Sequence, residues 1–193
     1  MNTIYTGVAI YALLLALLAV IVYKGIKIRI WKKKGKVINY FKELISGFFV
    51  IYLVVLLTVT LWPAPIRWGR MINFVPFRDV YFTAKSQGLI GIASYTVKIC
   101  FFNILLLIPF GFFGVFWCYF KQSQKYITIL GGGLVLILSI ETLQFILNTG
   151  RAADIDDVIL NMLGVAIGIL VGKLFVGKFA RYQKTFINKK VNQ

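Results

Sequence analysis

Hydrophobic residues occur in five long, unbroken runs along this chain. The runs cover residues 4–23, 44–62, 99–120, 126–147 and 158–176. About 20 apolar residues cross the ~30 Å hydrocarbon core of a bilayer as a helix, and a helix pairs its own backbone polar groups. The strands of a membrane β-barrel would alternate apolar and polar residues instead. The pattern therefore predicts an all-α, polytopic membrane bundle of about five transmembrane helices, with residues 1–193 forming a single domain.

The composition changes how the charge is interpreted. The chain is 60% hydrophobic and carries a net charge of +16, with a mean hydropathy of +0.84. A basic soluble protein would suggest a nucleic-acid partner, but this hydropathy favours basic residues massed on one side of a membrane. We therefore expect the lipid bilayer as a partner, and no nucleic acid. The chain contains no histidine, which excludes histidine-based catalysis and metal ligation.

The distribution of basic residues predicts the orientation. Sixteen of the 22 lysines and arginines lie in residues 24–43, in residues 121–125 or from Lys173 onward. Cytoplasmic loops are enriched in lysine and arginine. We therefore expect a multi-pass protein of the cell membrane with an external N-terminus and a cytoplasmic C-terminus. Four of the six arginines fall on the opposite, external side: Arg67, Arg70, Arg78 and Arg151.

Four of the six carboxylates of the chain lie within seventeen residues, between the fourth and fifth runs. They are Glu141, Asp154, Asp156 and Asp157. A carboxylate at or inside a bilayer is energetically costly and usually functional. The predicted spans also place three amides at a similar depth near the external surface: Asn103, Gln144 and Asn161. Because three separate helices contribute to this polar layer, we expect it to form one site.

The fifth run supports this layer with a helical stripe, formed by Asp157, Asn161, Gly164, Gly168 and Gly172. Glycines on one face let a neighbouring helix approach closely, so the polar part of the stripe should point into the bundle.

Structural roles are the alternative for each of these groups. The aspartates can cap the fifth helix, Asp156 above all, because carboxylates favour a helix N-terminus. Glu141 can join helices by a hydrogen bond to Asn103 or Asn161. The external arginines can pair with the aspartates or bind a ligand. The connection 63–98 is rich in aromatic residues, and we expect it to lie along the outer surface.

Four sequence pieces resemble the VanZ-like membrane family. In order, they are NFVPF at 73–77, NILLLIPFG at 103–111, ETLQF at 141–145 and GRAADIDDV at 150–158. The resemblance covers about residues 45–176. The namesake of this family is linked to low-level resistance to the glycopeptide teicoplanin. The resemblance thus implies a bacterial envelope protein, without naming a reaction.

We predict an outward-facing polar pocket that binds an anionic lipid, a lipid-linked wall precursor or a lipoglycopeptide such as teicoplanin. The candidate ligand-binding residues are Asn73, Arg78, Asn103, Glu141, Gln144, Arg151, Asp154, Asp157 and Asn161. One alternative is a metal-dependent enzyme acting on a lipid phosphate, with Mg²⁺ or Mn²⁺ at Glu141, Asp154 and Asp157, since these ions prefer oxygen ligands. A transporter is the other alternative. We assign no cofactor and no catalytic residue.

Overall fold

The computed structural model describes residues 2–62 and 72–191. Its elements are the helices α1 (Asn2–Lys33), α2 (Tyr40–Leu61), α3 (Arg78–Phe120), α4 (Ile127–Ile146) and α5 (Ile155–Val191), with two short strands, β1 (Ile72–Asn73) and β2 (Ala153–Asp154). The helices form a bundle, and the two strands pair in parallel. The prediction of an all-α membrane bundle is confirmed.

Four helical segments are long and apolar enough to cross a membrane, among the residues that the structure describes. They are Tyr40–Leu61, Cys100–Phe120, Ile127–Ile146 and Ile155–Ala180. Each corresponds to one of the predicted runs. The first run, 4–23, is helical as part of α1, but several of its side chains lie outside the described ones, so its membrane crossing stays a prediction. The predicted external residues Arg67 and Arg70 also lie outside the described part of the chain.

Three helices end in the same kind of turn. Gly35, Gln122 and Asn148 adopt positive φ angles directly after α1, α3 and α4. At each end, backbone N–H groups donate back to carbonyls of the last turn, for example Thr149 to Gln144 at 3.1 Å. This is the Schellman arrangement, in which a left-handed residue lets the chain satisfy the last free carbonyls. The turn at Asn148 directs the chain away from α4 and towards β2.

The closest helix packing joins α3 and α5, and it depends on the predicted glycine stripe. A methyl group added at Gly164 would overlap the carbonyl oxygen of Ile104, and one added at Gly168 would overlap that of Ile108. Gly111 of α3 meets the α5 backbone in the same way. The role predicted for the glycines is therefore confirmed, with α3 as the neighbouring helix. The apolar core around this contact contains Leu56, Leu107, Ile137, Ile140 and Val165, all almost fully buried.

Two helices extend beyond the runs that predicted them. α3 contains 43 residues, or about 65 Å at 1.5 Å per residue, which is twice the thickness of the hydrocarbon core. Residues 78–98 of the predicted connection therefore form part of this helix and continue into the span without a break. α1 likewise continues through the first lysines of the predicted loop 24–43 to Lys33.

The bundle has two polar ends. The carboxylate end holds Glu141, Asp154, Asp156 and Asp157. The lysine end holds Lys24, Lys27, Lys42 and Glu43, where the N-terminus of α2 lies beside the C-terminal part of α1. Glu43 and Thr60 are at opposite ends of α2, about 25 Å apart along the helix axis. Between these ends the helices are almost entirely apolar.

Candidate functional site

The carboxylate end is organised by the short β1–β2 pair. Its register places Asn73 opposite Asp154, although the two residues are 81 positions apart in the sequence. The amide of Asn73 donates to both carboxylate oxygens of Asp154, at 3.1 Å each. Oδ1 of Asp154 also accepts the N–H of Asp156 at 3.0 Å. That is the hydrogen bond of a helix N-cap, so Asp154 anchors the start of α5 to β1.

Asp156 holds the loop that precedes α3. Its carboxylate accepts the backbone N–H of Phe77 at 2.8 and 3.1 Å. Phe77 has a φ of 57°, a left-handed conformation that costs a bulky residue about 1–3 kcal/mol. The bond to Asp156 offsets that strain. The capping role that the sequence favoured for Asp156 is thus carried out by Asp154, and Asp156 fixes a distant loop instead.

Glu141 of α4 and Asp157 of α5 are the other two carboxylates at this end. Glu141 is 8% exposed and accepts the backbone N–H of Asp154 at 3.3 Å. The amides expected as partners of Glu141 bind Asp157 instead. Asn103 donates to the carboxylate of Asp157, and Asn161 donates to its backbone carbonyl at 2.7 Å. A helix-joining bond therefore exists between α3 and α5 through Asp157, whereas the predicted bonds from Glu141 of α4 to these amides are not found among the described residues.

Gln144 connects the site to a further helix. Its side-chain amide donates to the carbonyl of Thr60 in α2 at 2.8 Å. Four helices and both strands thus bring polar groups to one end of the bundle, as the depth of the predicted amides indicated.

Three buried side-chain oxygens at this end have no hydrogen-bond partner among the described residues. They are Oε1 of Gln144, Oγ1 of Thr149 and Oδ1 of Asn161, on residues that are 4%, 4% and 2% exposed. Both amide groups are oriented by the carbonyls that their nitrogens contact, so the oxygens must face away. An unpaired buried oxygen costs about 1–3 kcal/mol. The arrangement can therefore accept hydrogen bonds from an added donor.

Two arginines flank the site. Arg78 and Arg151 are both exposed, and the ion pairs within the described residues involve neither of them. Arg151 nevertheless interacts through space with both Glu141 and Asp157. Arg78 lies over the ring of Phe82, with 5.8 Å between the guanidinium carbon and the ring centroid. The alternative of direct pairing with the aspartates is therefore not observed for these two arginines.

A comparison with known families places these contacts in context. The model of the VanZ/LLP1 family matches residues 49–176, which is more than half of the chain. The chain belongs to the VanZ/LLP1 family. The resemblance inferred from the four sequence pieces is thereby confirmed. No curated protein matches the chain, and neither does any solved structure.

The VanZ/LLP1 region contains every contact of the carboxylate end described above. The four pieces of sequence meet there. Residues 73–77 contact residues 150–158 through the strand pair and through Asp156. Residues 103–111 contribute Asn103, and residues 141–145 contribute Glu141 and Gln144. Four pieces of sequence that are distributed over residues 73–158 thus form one local structure.

The alternative of a metal site at Glu141, Asp154 and Asp157 has little support in the geometry of the described residues. No three carboxylates or thiols within 2–62 and 72–191 are grouped so that they could hold a metal ion. Of the three proposed ligands, Asp154 already accepts bonds from Asn73 and Asp156 through its oxygens.

Several residues of the site were not found from the sequence. Thr149 and the carbonyl of Thr60 contribute buried oxygens, Phe77 contributes a strained backbone N–H, and Asp156 accepts it. The sequence signal for Thr149 is weak, because a threonine between Asn148 and Gly150 is typical of an exposed turn. Only the fold shows that this turn is buried against the bundle.

Three cavities with volumes of about 510, 640 and 700 Å³ lie towards the lysine end, and their linings include no residue of the carboxylate end. The predicted outward-facing pocket stays a prediction, and the residues assigned to it form a cluster with open hydrogen-bonding capacity.

Proposed function

We propose that this protein acts in the bacterial cell envelope by binding the headgroup of a lipid or lipid-linked molecule at the carboxylate end. The observation that carries the proposal is the group of three buried oxygens that have no partner among the described residues, at the same end of the bundle as Glu141 and Asp157. A family of membrane proteins with no binding role would gain stability from apolar residues at these positions, because unpaired buried polar groups destabilise a bundle.

The chemistry of the cluster indicates the class of ligand. Carboxylates and amide oxygens accept hydrogen bonds, so the ligand must carry donors such as hydroxyl, amide or amine groups. The exposed guanidiniums of Arg78 and Arg151 suit a phosphate or carboxylate, which they can bind through two parallel N–H groups. A headgroup with both features is favoured, since a purely anionic one would be repelled by Glu141 and Asp157.

Three ligands meet this description: an anionic lipid bearing hydroxyl groups, a lipid-linked wall precursor, and a lipoglycopeptide antibiotic of the teicoplanin type. Each combines amide or hydroxyl donors, an anionic group and a lipid tail that can lie along the apolar helices. In the third case, or if the wall precursor is withheld from the drug, the protein contributes to glycopeptide resistance. The predicted orientation places this end on the external side, where such molecules occur.

Lipid mass spectrometry of purified full-length protein tests the proposal. The variant is Arg151→Ala, because Arg151 is exposed and takes part in neither of the ion pairs found in residues 2–62 and 72–191. The matched control is Arg29→Ala, an exposed arginine on α1 towards the lysine end. We expect Arg151→Ala to lose a co-purifying anionic lipid or precursor that the wild type and Arg29→Ala both retain.

Antibiotic susceptibility of cells producing the same three proteins at equal levels tests the finer proposal. A higher teicoplanin sensitivity of Arg151→Ala than of Arg29→Ala supports a role in resistance. If Arg151→Ala retains every co-purifying molecule and the same susceptibility, binding at the carboxylate end is wrong.

A further inference from the structure

A second potential binding site lies at the opposite end of the bundle. A cavity of about 640 Å³ separates α1 from α2 and the C-terminal part of α3. Its polar lining includes Lys24, Lys27, Lys42, Glu43 and Ser46. Its apolar lining comes from residues such as Val20, Val50 and Trp117. The cavity is thus cationic on one side and apolar on the other.

This cavity continues into a second one between α2, α3 and α4. The second cavity has a volume of about 510 Å³ and shares Lys42, Ser46, Val50 and Trp117 with the first. Its remaining lining is largely aromatic and aliphatic, including Phe49, Phe110 and Phe113. A ligand entering between the lysines would therefore find a continuous apolar path along the helices.

The lining carries an excess of positive charge. Lys24 and Lys27 each contact one carboxylate oxygen of Glu43, both at 2.8 Å. Glu43 neutralises only one of these two charges. Lys42 lines both cavities and is not part of either ion pair found in the described residues. Lys121 lies 4.8 Å from the ring centroid of Trp117, an aromatic residue that lines both cavities.

We propose that these joined cavities bind an anionic phospholipid. The phosphate would lie among Lys24, Lys27 and Lys42, and one acyl chain would lie along Phe49, Phe110 and Phe113. Basic pockets between membrane helices suit anionic headgroups, and lysine binds phosphate as a point charge. A free phosphate would leave the apolar path unused, and a neutral lipid would leave the excess charge unpaired.

The proposed lipid also explains the arrangement of α1. This helix packs mainly against α2, and the cavity separates it from α3 along part of its length. A lipid in the cavity would contact α1 from the side that the protein does not fill. This site is independent of the function proposed for the carboxylate end.

Native mass spectrometry of the full-length protein tests the site. The protein is exchanged into phosphatidylglycerol or phosphatidylcholine with identical acyl chains. The variant Lys42→Ala removes a cavity-lining charge that holds no ion pair. Lys125→Ala is the matched control, an exposed lysine in the turn after α3 that lines none of the three cavities. We expect the wild type and Lys125→Ala to retain phosphatidylglycerol in preference to phosphatidylcholine, and Lys42→Ala to lose about fivefold in that preference.

A phosphatidylglycerol with a photoreactive acyl chain locates the lipid. We expect crosslinks to peptides containing Phe49 or Phe113, reduced in Lys42→Ala and unchanged in Lys125→Ala. Three results would each overturn the proposal. They are equal retention of both lipids by the wild type, equal losses in the two variants, and displacement of the lipid by soluble glycerol phosphate. Circular dichroism of each variant verifies that a lost preference does not reflect a lost fold.

Discussion

Two glutamates of this bundle are buried to the same extent, but different groups surround their carboxylates. Glu43 and Glu141 are both 8% exposed. Glu43 has a lysine on each carboxylate oxygen, Lys24 and Lys27 at 2.8 Å. Glu141 contacts a single backbone N–H at 3.3 Å, and its neighbours include two further carboxylates, Asp154 and Asp157.

The difference separates a carboxylate that the protein pairs internally from one that it does not pair with a described cation. At the lysine end, the charge of Glu43 is neutralised by its contacting lysines, and the pair holds α1 against α2. At the carboxylate end, no cation among the described residues forms an ion pair with Glu141, and three buried oxygens lack a partner within the same part of the chain. Natural proteins keep destabilising arrangements mainly where function requires them. We therefore expect substitution of Glu141 to change ligand binding and substitution of Glu43 to change stability.

The largest effect should come from disturbing the α3–α5 contact on which the carboxylate end is built. In Gly164→Ala, the added methyl overlaps the backbone carbonyl of Ile104, which cannot rotate away. The helices must separate, and the bond between Asn103 and Asp157 is lost with them. We expect a loss of about 3 kcal/mol in stability or a failure to fold, measured by thermal unfolding in lipid nanodiscs.

Gly131→Ala provides the matched control for this prediction. Gly131 lies in α4, and a methyl group there meets nothing within 4 Å. Alanine favours a helix over glycine by up to about 1 kcal/mol, so this variant should be as stable as the wild type or slightly more so. Equal behaviour of the two variants would show that close approach of α3 and α5 does not hold the carboxylate end together.

The carboxylate end was largely predictable because its signals are local or periodic. The apolar runs predict the helices, the spacing of Gly164, Gly168 and Gly172 predicts one packed face, and counting residues along each span predicts that Asn103 and Asn161 share a depth. These inferences need only the geometry of a straight helix. The structure agrees with them, and the family match agrees with the four sequence pieces.

The contacts between distant segments were not predictable in the same way. Nothing in the sequence indicates that Asn73 pairs with Asp154 or that Asp156 supports Phe77, because such partners are chosen by the loops that connect them. The lysine end was missed for a different reason. Lys24 and Lys27 fit the ordinary enrichment of cytoplasmic loops, which conceals the fact that α1 continues through both residues and turns them towards Glu43.

The second prediction concerns Glu43, whose carboxylate is paired with lysines. Glu43→Ala leaves Lys24 and Lys27 without a counter-charge in a partly buried position. Breaking a fully buried pair costs about 3–5 kcal/mol, and the partial exposure of both lysines reduces this to about 2 kcal/mol. We expect thermal unfolding at a lower temperature, with α1 loosened from α2.

A double-mutant cycle with Lys27→Ala isolates the interaction. If the ion pair is the cause, Glu43→Ala should destabilise the Lys27→Ala protein less than it destabilises the wild type. Additive losses would instead assign the effect to packing of the glutamate side chain.

The smallest change in stability should come from substitution of Glu141. This substitution should leave stability unchanged or raise it slightly, whereas substitution of Glu43 lowers it. Glu141→Gln keeps the shape of the side chain and an oxygen that can accept the N–H of Asp154, while it removes a buried carboxyl group that forms no ion pair within the described part of the chain. We expect unfolding at an unchanged or slightly higher temperature, a difference of less than about 1 kcal/mol, because removing an uncompensated buried charge relieves its desolvation.

The same variant should lose at least about tenfold in binding of a donor-bearing headgroup, which corresponds to ~1.4 kcal/mol, as measured by retention of the lipid that co-purifies with the wild type. A strongly destabilised Glu141→Gln protein would mean that Glu141, like Glu43, is part of the scaffold, and the contrast between the two ends would then have to be abandoned.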